Sequence, residues 1–334
     1  MVESNVELYG ALDGLVKKRL DRRFEGIVIS GLDSIKTLEN ASLFYASTHK
    51  SHVDYVVIGR VIYQGGLRIP LFIAGDNLDI GAFGKLLNSA GAVFIKRKDF
   101  STAYLMELCA SLTKKMLDGH DLVLFPEAGR SYSGGIMPTR PLLFRVPIQA
   151  QRQGKKPVYV VPVAVSYDLV LEDFELSDLT RECRKEEWKD LRKLIISREK
   201  GGNIYIDFGE PISIEKFLRQ GKQTAHSLGI YVFKQAARLY RVTAPALSAA
   251  SINGSSEFSI RELTSEVRRN LRILERNNAN LKTVNSMPLT EIVRRGLTLL
   301  ERRGLISNGA NGYLVGRPDI LKYYANTLEH LLVK

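Results

Sequence analysis

The sequence predicts an α/β fold: a mixed, largely parallel sheet flanked by helices, followed by a small C-terminal helical, winged-helix-like module. Three observations predict it. Short runs rich in Val, Ile, Leu, Phe and Tyr recur through the first two thirds of the chain, the pattern of strands buried on both faces. Segments with apolar residues three or four apart lie between many of them. After about Arg241 the apolar runs give way to helical patterns and one hairpin signature.

The expected strands, in order, are Gly26–Ser30, Leu43–Ser47, Pro70–Ala74, Ala92–Lys96, Leu122–Phe125, Pro157–Val165 and Asn203–Phe208. The expected helices between them are Val53–Gln64, Gly81–Ala90 and Ser101–Asp118, the last with Leu105, Leu108, Leu112 and Met116 on one stripe. Pro162, inside the sixth strand, removes a ladder donor, so it marks an edge, a bulge, a site wall or a tolerated core position. Residues 1–241 form the α/β domain on this reading. Residues 242–256, rich in Ala, Ser and Gly, read as a connection. Residues 257–334 then hold helices Ile260–Arg276 and Leu289–Arg303, a hairpin between Gly304 and Val315, and a last helix Asp319–Val333.

Composition bounds the function. The 334 residues are 45% hydrophobic, 25% charged and 8% aromatic, which excludes a disordered chain. Lys and Arg total 48 against 36 Asp and Glu, a formal charge of +12. Such a field favours an anionic partner, nucleic acid or a membrane surface or a phosphorylated substrate, without choosing among them. Cys109 and Cys183 are far apart and in no metal-ligand spacing, so neither a disulfide scaffold nor a zinc site is expected. The N-terminus lacks the pattern of a secretory signal, and no apolar run reaches the ~18–20 residues of a membrane span. A soluble or membrane-surface protein is expected.

Three constellations carry chemistry. His49-Lys-Ser-His-Val-Asp54 follows a strand directly, at the sheet edge where open α/β proteins bind ligands. An Asp54 carboxylate reaching back to the imidazole of His49 would hold one tautomer and stabilise the imidazolium formed when His49 takes a proton. Ser51-x-x-Asp54 is equally a helix cap, so the spacing alone leaves both readings open; His52, one residue into the helix, falls outside the pair. Gly91-Ala-Val-Phe-Ile-Lys96-Arg97 is a strand ending in two cations whose side chains alternate. Phe125-Pro-Glu127-Ala-Gly129-Arg130-Ser131 follows another strand. Arg130 offers a bidentate fork for phosphate and Ser131 a hydroxyl, while Gly129 permits close backbone approach or positive φ, and Glu127 can orient Arg130 or accept a substrate hydroxyl.

These blocks, with Val161-Pro-Val163, stand in one order at strand ends, and together resemble the glycerolipid acyltransferases. HKSHVDY resembles the glycerol-3-phosphate and dihydroxyacetone-phosphate branch, with Thr48 where the lysophosphatidate enzymes usually carry Asn. GAVFIKR at 91–97 is similar to the second family motif and FPEAGRS at 125–131 to the third, although Ala128 stands where Gly usually follows the Glu. IAGDNL at 73–78 and the C-terminal DILKYYANTLEHLL also resemble this branch, so the likeness covers nearly the whole chain.

The resemblance implies transfer of a fatty acyl group from acyl-CoA or acyl-carrier protein to the sn-1 hydroxyl of glycerol-3-phosphate. His49 would be the general base and Asp54 its partner. Lys96, Arg97, Glu127, Gly129, Arg130 and Ser131 would hold the substrates. No cofactor or metal is called for. An anionic membrane surface is the implied partner, with a cytoplasmic, peripheral location on the inner face of the cell membrane. Acylation of dihydroxyacetone phosphate or lysophosphatidate is the nearest alternative, and a nucleic-acid-binding winged helix is a more distant one.

Overall fold

The computed structural model describes residues 6–333 apart from 39, 77, 78, 80, 90, 97–100, 128, 138, 178–199, 222 and 253. Its central sheet has strands β1 (Gly26–Ser30), β2 (Ser42–Ser47), β3 (Leu71–Gly75), β4 (Ala92–Ile95), β5 (Leu122–Leu124), β6 (Val158–Tyr167), β7 (Asn203–Phe208) and β8 (Ile212–Ser213). The order is β1-β7-β6-β2-β5-β3-β4, with β8 on β6. Every pairing is parallel except β6 with β7 and β6 with β8, so the sheet is mixed and largely parallel.

The continuous apolar runs are explained by burial on both faces. In β2, Leu43 and Tyr45 join one core cluster while Phe44 and Ala46 join another. Helix Val53–Gln64 covers the first face with Val53, Val57, Ile58, Val61 and Ile62. Helix Thr102–Leu117 covers the second with Leu108, Cys109, Leu112 and Met116, and begins where the Ser101 hydroxyl accepts from the Tyr104 N–H.

Pro162 lies in a central strand, and the register explains why it is tolerated. Its carbonyl accepts from Gly209 N–H, so its nitrogen faces the same side, where β6 pairs with β7 from Val163 onward and with β8 at Tyr159 and Val160. The missing donor falls in the gap between those two ladders.

The segment 242–256 corrects the expectation of a connection. It contains helix Ala244–Ile252, buried almost throughout. Its small residues serve close packing. A Cβ on Gly296, in helix Leu289–Arg302, would meet Ser248 Oγ at 2.1 Å and the Ala244 carbonyl at 2.9 Å. Asn270 Nδ2, in helix Ile260–Arg276, donates to Ser251 Oγ at 3.0 Å. That helix starts with a capping box, Ser259 with Glu262, and buries Leu263, Val267, Asn270 and Leu274 as one stripe.

A three-stranded sheet, β10 (Ile306–Asn308), β11 (Tyr313–Val315) and β9 (Glu257–Phe258), completes the winged-helix-like arrangement, and helix Pro318–Asn326 follows it. One hydrophobic cluster runs from Leu43 and Val57 of the α/β part to Leu263, Leu300 and Tyr323 of the C-terminal part.

The helix that a DNA-binding winged helix would present, Leu289–Arg302, faces inward instead. Arg295 pairs with Asp168 at 2.7 Å and Glu25 at 2.8 Å, and Arg302 lies 3.6 Å from Glu25. Arg303, next in the chain, pairs with Asp173 and donates to the Leu171 carbonyl at 3.1 Å.

Candidate active site

The site forms at the carboxyl ends of β6, β2 and β5, three neighbouring strands. The register of β2 with β5 pairs Ala46 with Leu124, so the third residue beyond each, His49 and Glu127, leaves the sheet side by side. The His49 N–H donates to Glu127 Oε1 at 3.1 Å, and the Ser131 N–H donates to the His49 carbonyl at 3.1 Å. Two loops that are distant in sequence are thereby tied through their backbones.

His49 Nδ1 lies 2.9 Å from Asp54 Oδ2, and both side chains are buried. The same carboxylate oxygen accepts from the N–H groups of Lys50 at 2.7 Å and Ser51 at 3.0 Å, and Oδ1 accepts from the Tyr167 hydroxyl at 2.5 Å. Ser51 Oγ meanwhile accepts from the Val53 N–H at 3.0 Å. These bonds in the turn before the helix and the carboxylate–imidazole contact therefore coexist. Phe125 stacks on the imidazole with centroids 4.2 Å apart, and Tyr55 meets it edge-on at 5.2 Å. With Nδ1–H donated to Asp54, Nε2 is the basic nitrogen of the neutral ring.

Glu127 has both oxygens engaged by backbone, Oε1 by His49 and Oε2 by the Met137 N–H at 2.9 Å. Burial pushes its carboxyl up to about 7, against the pull of Lys50 and these two N–H groups. Arg130, which Glu127 was expected to orient, has its Nη1 3.6 Å from Glu172 Oε1, both side chains buried. Ser131 is fully buried and its hydroxyl donates to the Gly135 carbonyl, so it shapes its own loop. Gly129 is half-buried, and a Cβ there would meet nothing within 4 Å among the described residues, which leaves room for close approach to its backbone.

Lys96 stands apart from this group. It is exposed at the end of edge strand β4, two strands beyond β5, with Nζ 6.0 Å from the Tyr104 ring centroid. Arg97 lies outside the described residues. His52, set aside from the sequence, contributes its backbone N–H to Glu172 Oε1 at 2.8 Å.

Sequence reasoning missed Lys50, Tyr167 and Glu172. Lys50 is fully buried, and Nζ donates to the carbonyls of Gly134 at 3.0 Å and Gly135 at 2.6 Å. Burial lowers its ammonium to about 8, against the opposing pull of Glu127 and Asp54. A lysine inside an otherwise buried strand-to-helix turn was the available signal for it. Glu172 and Tyr167 had none, because only the fold brings the end of β6 beside the turn after β2.

The C-terminal part closes over the same loops. The last residues of the α/β part join it there, with Lys50 Nζ 5.4 Å over the Tyr240 ring. Gly134, at φ +85°, packs so tightly on the Tyr323 carbonyl that a Cβ would come within 1.8 Å of it. Asn326 Nδ2 donates to the Ser133 carbonyl at 2.8 Å, and the Tyr324 hydroxyl bonds both Asp173 Oδ2 at 2.5 Å and the Val170 N–H at 3.0 Å.

A family model described as Acyltransferase matches residues 26–166, which hold all four motif blocks, and one described as Glycerol-3-phosphate acyltransferase C-terminal region matches residues 182–334. The chain thus carries an acyltransferase domain followed by the C-terminal region of the glycerol-3-phosphate acyltransferase family. It is similar to a glycerol-3-phosphate acyltransferase of Xylella fastidiosa strain M12, 30% identical over 60% of this chain and 24% of that one. Another, from Actinobacillus succinogenes, is 26% identical over 99% of this chain and 44% of its own length. The chain thus spans from about a quarter to under half of these relatives. Among solved structures, a 1-acyl-sn-glycerophosphate acyltransferase from Thermotoga maritima is 17% identical, with a TM-score of 0.43 over 68% of this chain and 77% of that one, a likeness too faint to add to the family match.

Proposed function

We propose that this chain acylates the sn-1 hydroxyl of glycerol-3-phosphate, taking the fatty acyl group from acyl-CoA or acyl-carrier protein and giving lysophosphatidate. The observation that carries the proposal is the 2.9 Å contact of His49 Nδ1 with Asp54 Oδ2 at the sheet edge, in a family of acyltransferases. His49 Nε2 takes the proton of the acceptor hydroxyl as its oxygen attacks the thioester carbonyl. Asp54 holds the ring and balances the imidazolium. The thiolate leaves as the tetrahedral intermediate collapses, and the proton on His49 passes to it.

The acceptor's phosphate is assigned to Arg130, with the open space at Gly129 admitting it or the oxyanion close to backbone. Ser131 and Glu127 hold that loop in place. Lys96, farther along the same sheet edge, is assigned to the anionic end of the donor or acceptor, and Arg97, next to it in the chain, is assigned the same role. Residues 257–334 act as a packing module for the site rather than a nucleic-acid reader, a reading favoured by the inward ion pairs of Arg295, Arg302 and Arg303.

The product is amphiphilic, and the net charge of +12 suits an anionic bilayer. Arg261, Arg268, Arg272 and Arg276 lie exposed along one side of helix Ile260–Arg276. No helix among the described residues is long and apolar enough to cross a membrane. The net charge and these exposed arginines support peripheral binding, which is assigned to the inner face of the cell membrane. Absence of co-sedimentation with anionic vesicles, even at low salt, would contradict it.

The deciding assay offers purified protein glycerol-3-phosphate, dihydroxyacetone phosphate and lysophosphatidate, each with acyl-CoA and with acyl-carrier protein. Acylated glycerol phosphate as the main product is expected, and dihydroxyacetone phosphate is the nearest rival acceptor. Near-wild-type turnover by His49→Ala would sink the mechanism.

A further inference from the structure

Glu172 lies just beyond β6, outside the four sequence motifs. It is buried, and its carboxylate touches two of them at once. Oε2 accepts from the Ser51 hydroxyl at 2.7 Å and Oε1 from the His52 N–H at 2.8 Å, both in the turn that carries His49. The same Oε1 lies 3.6 Å from Arg130 Nη1 in the loop after β5. The backbone around Glu172 is held in turn by the C-terminal part: Arg303 donates to the carbonyl of Leu171 and pairs with Asp173, and Tyr324 bonds Asp173 and Val170.

We propose that Glu172 is a positioning residue that fixes Arg130 relative to His49, and so sets where the acceptor's phosphate sits when its hydroxyl meets the base. The proposal rests on the acyltransferase reading above. A guanidinium has five donors in a rigid plane, so one carboxylate can fix its orientation while another edge takes phosphate. Glu172 also fixes the far side of the turn whose near side Asp54 fixes. Its placement therefore governs the distance between two working groups without contact to substrate.

Burial raises the Glu172 carboxyl to about 7, against the pull of Arg130, Ser51 and the His52 N–H, while Asp54 pushes it the same way as burial. Among the described residues Tyr167 and Tyr323 also face it, and burial raises both, so they stay neutral. The carboxylate holds Arg130 above that pH and releases it when protonated below.

The test compares wild-type protein with Glu172→Gln and Glu172→Asp, varying glycerol-3-phosphate and acyl-CoA in turn. In Glu172→Gln the KM for glycerol-3-phosphate should rise about ten-fold or more at about pH 8.5, the scale of one charge-assisted contact. The KM for acyl-CoA should stay near its wild-type value, and Glu172→Asp should recover part of the loss. The variant-to-wild-type ratio should shrink as pH falls below about 7, where the wild-type group is itself protonated. An unchanged acceptor KM, or equal rises for both substrates with a lowered melting temperature, overturns the proposal. If Glu172→Gln does not fold, Glu172→Asp carries the same comparison. If wild-type protein does not acylate glycerol-3-phosphate, the acyltransferase reading fails first, and inorganic phosphate binding followed by calorimetry decides for Glu172. Weaker binding by the variant supports its role; equal binding, or none by either protein, overturns it.

Discussion

The backbone N–H of His49 donates to the carboxylate of Glu127, 78 positions later in the chain, at 3.1 Å. Parallel register puts both residues three positions beyond a paired couple, Ala46 and Leu124, so the contact is a consequence of strand order. It makes the second acidic residue of the site a brace for the first loop, which shapes what substitutions there should do.

Asp54 does two jobs, and its variants should separate from those of His49. His49→Ala should lower kcat by about 10²–10⁴-fold, as loss of a general base does. Asp54→Asn should lose a comparable rate and also stability. Its carboxylate takes bonds from His49, Lys50, Ser51 and Tyr167, and each buried partner left unmatched costs about 1–3 kcal/mol. Melting curves beside steady-state rates check this; an Asp54→Asn protein as stable as wild type would remove the capping role.

Two glycines in one loop should respond in opposite ways. Gly134→Ala forces a Cβ into the Tyr323 carbonyl at a φ of +85°, so it should destabilise by ~2 kcal/mol or more and impair activity with it. Gly129→Ala meets open space, so its melting temperature should match wild type. Any fall in kcat/KM for Gly129→Ala then reports crowding of a ligand. An inactive but stable Gly129→Ala protein is the expected outcome if substrate passes close to that backbone.

The C-terminal part should prove inseparable from the site. Arg303→Ala leaves Asp173 buried without its guanidinium, and breaking such a pair typically costs about 3–5 kcal/mol. Asp173 adjoins Glu172 in the chain, so acceptor KM should rise along with the loss of stability. A variant that melts normally and turns over normally would show the two parts to be independent.

Acid should loosen the packing around His330. Burial lowers its imidazole to about 4, while its Nε2 contacts the Ala237 carbonyl at 3.1 Å and its ring meets Tyr240 edge-on. A histidine held below its unfolded value of about 6.5 stabilises the fold above that pH, and the contribution is lost as pH falls toward 4. The melting temperature of wild-type protein should therefore drop between pH 6.5 and 4 by a few degrees more than that of His330→Gln. Parallel curves for the two proteins would refute the assignment.

The sequence by itself determined the alternation of strands and helices, with most ends off by one or two residues, because buried parallel strands need unbroken apolar runs and amphipathic helices need a 3–4 spacing; it missed helices Val6–Arg23, Arg145–Gln153 and Ala225–Leu239, and the last helix, expected to reach Val333, ends at Asn326. It also placed the turn that carries His49 and the loop that carries Arg130 and Ser131 at one edge of the sheet, because each segment follows its strand directly. It misread 242–256, since small residues suit a linker and a tightly crossed helix alike. Only the tertiary structure decided who partners whom. Strand order set β2 between β5 and β6, and that put Glu127 under His49 and Glu172 between Ser51 and Arg130. It also turned the basic residues Arg295, Arg302 and Arg303 inward onto carboxylates. Local patterns encode elements through short-range geometry, whereas these contacts join residues brought together by register and packing, which leave no mark within a sequence window.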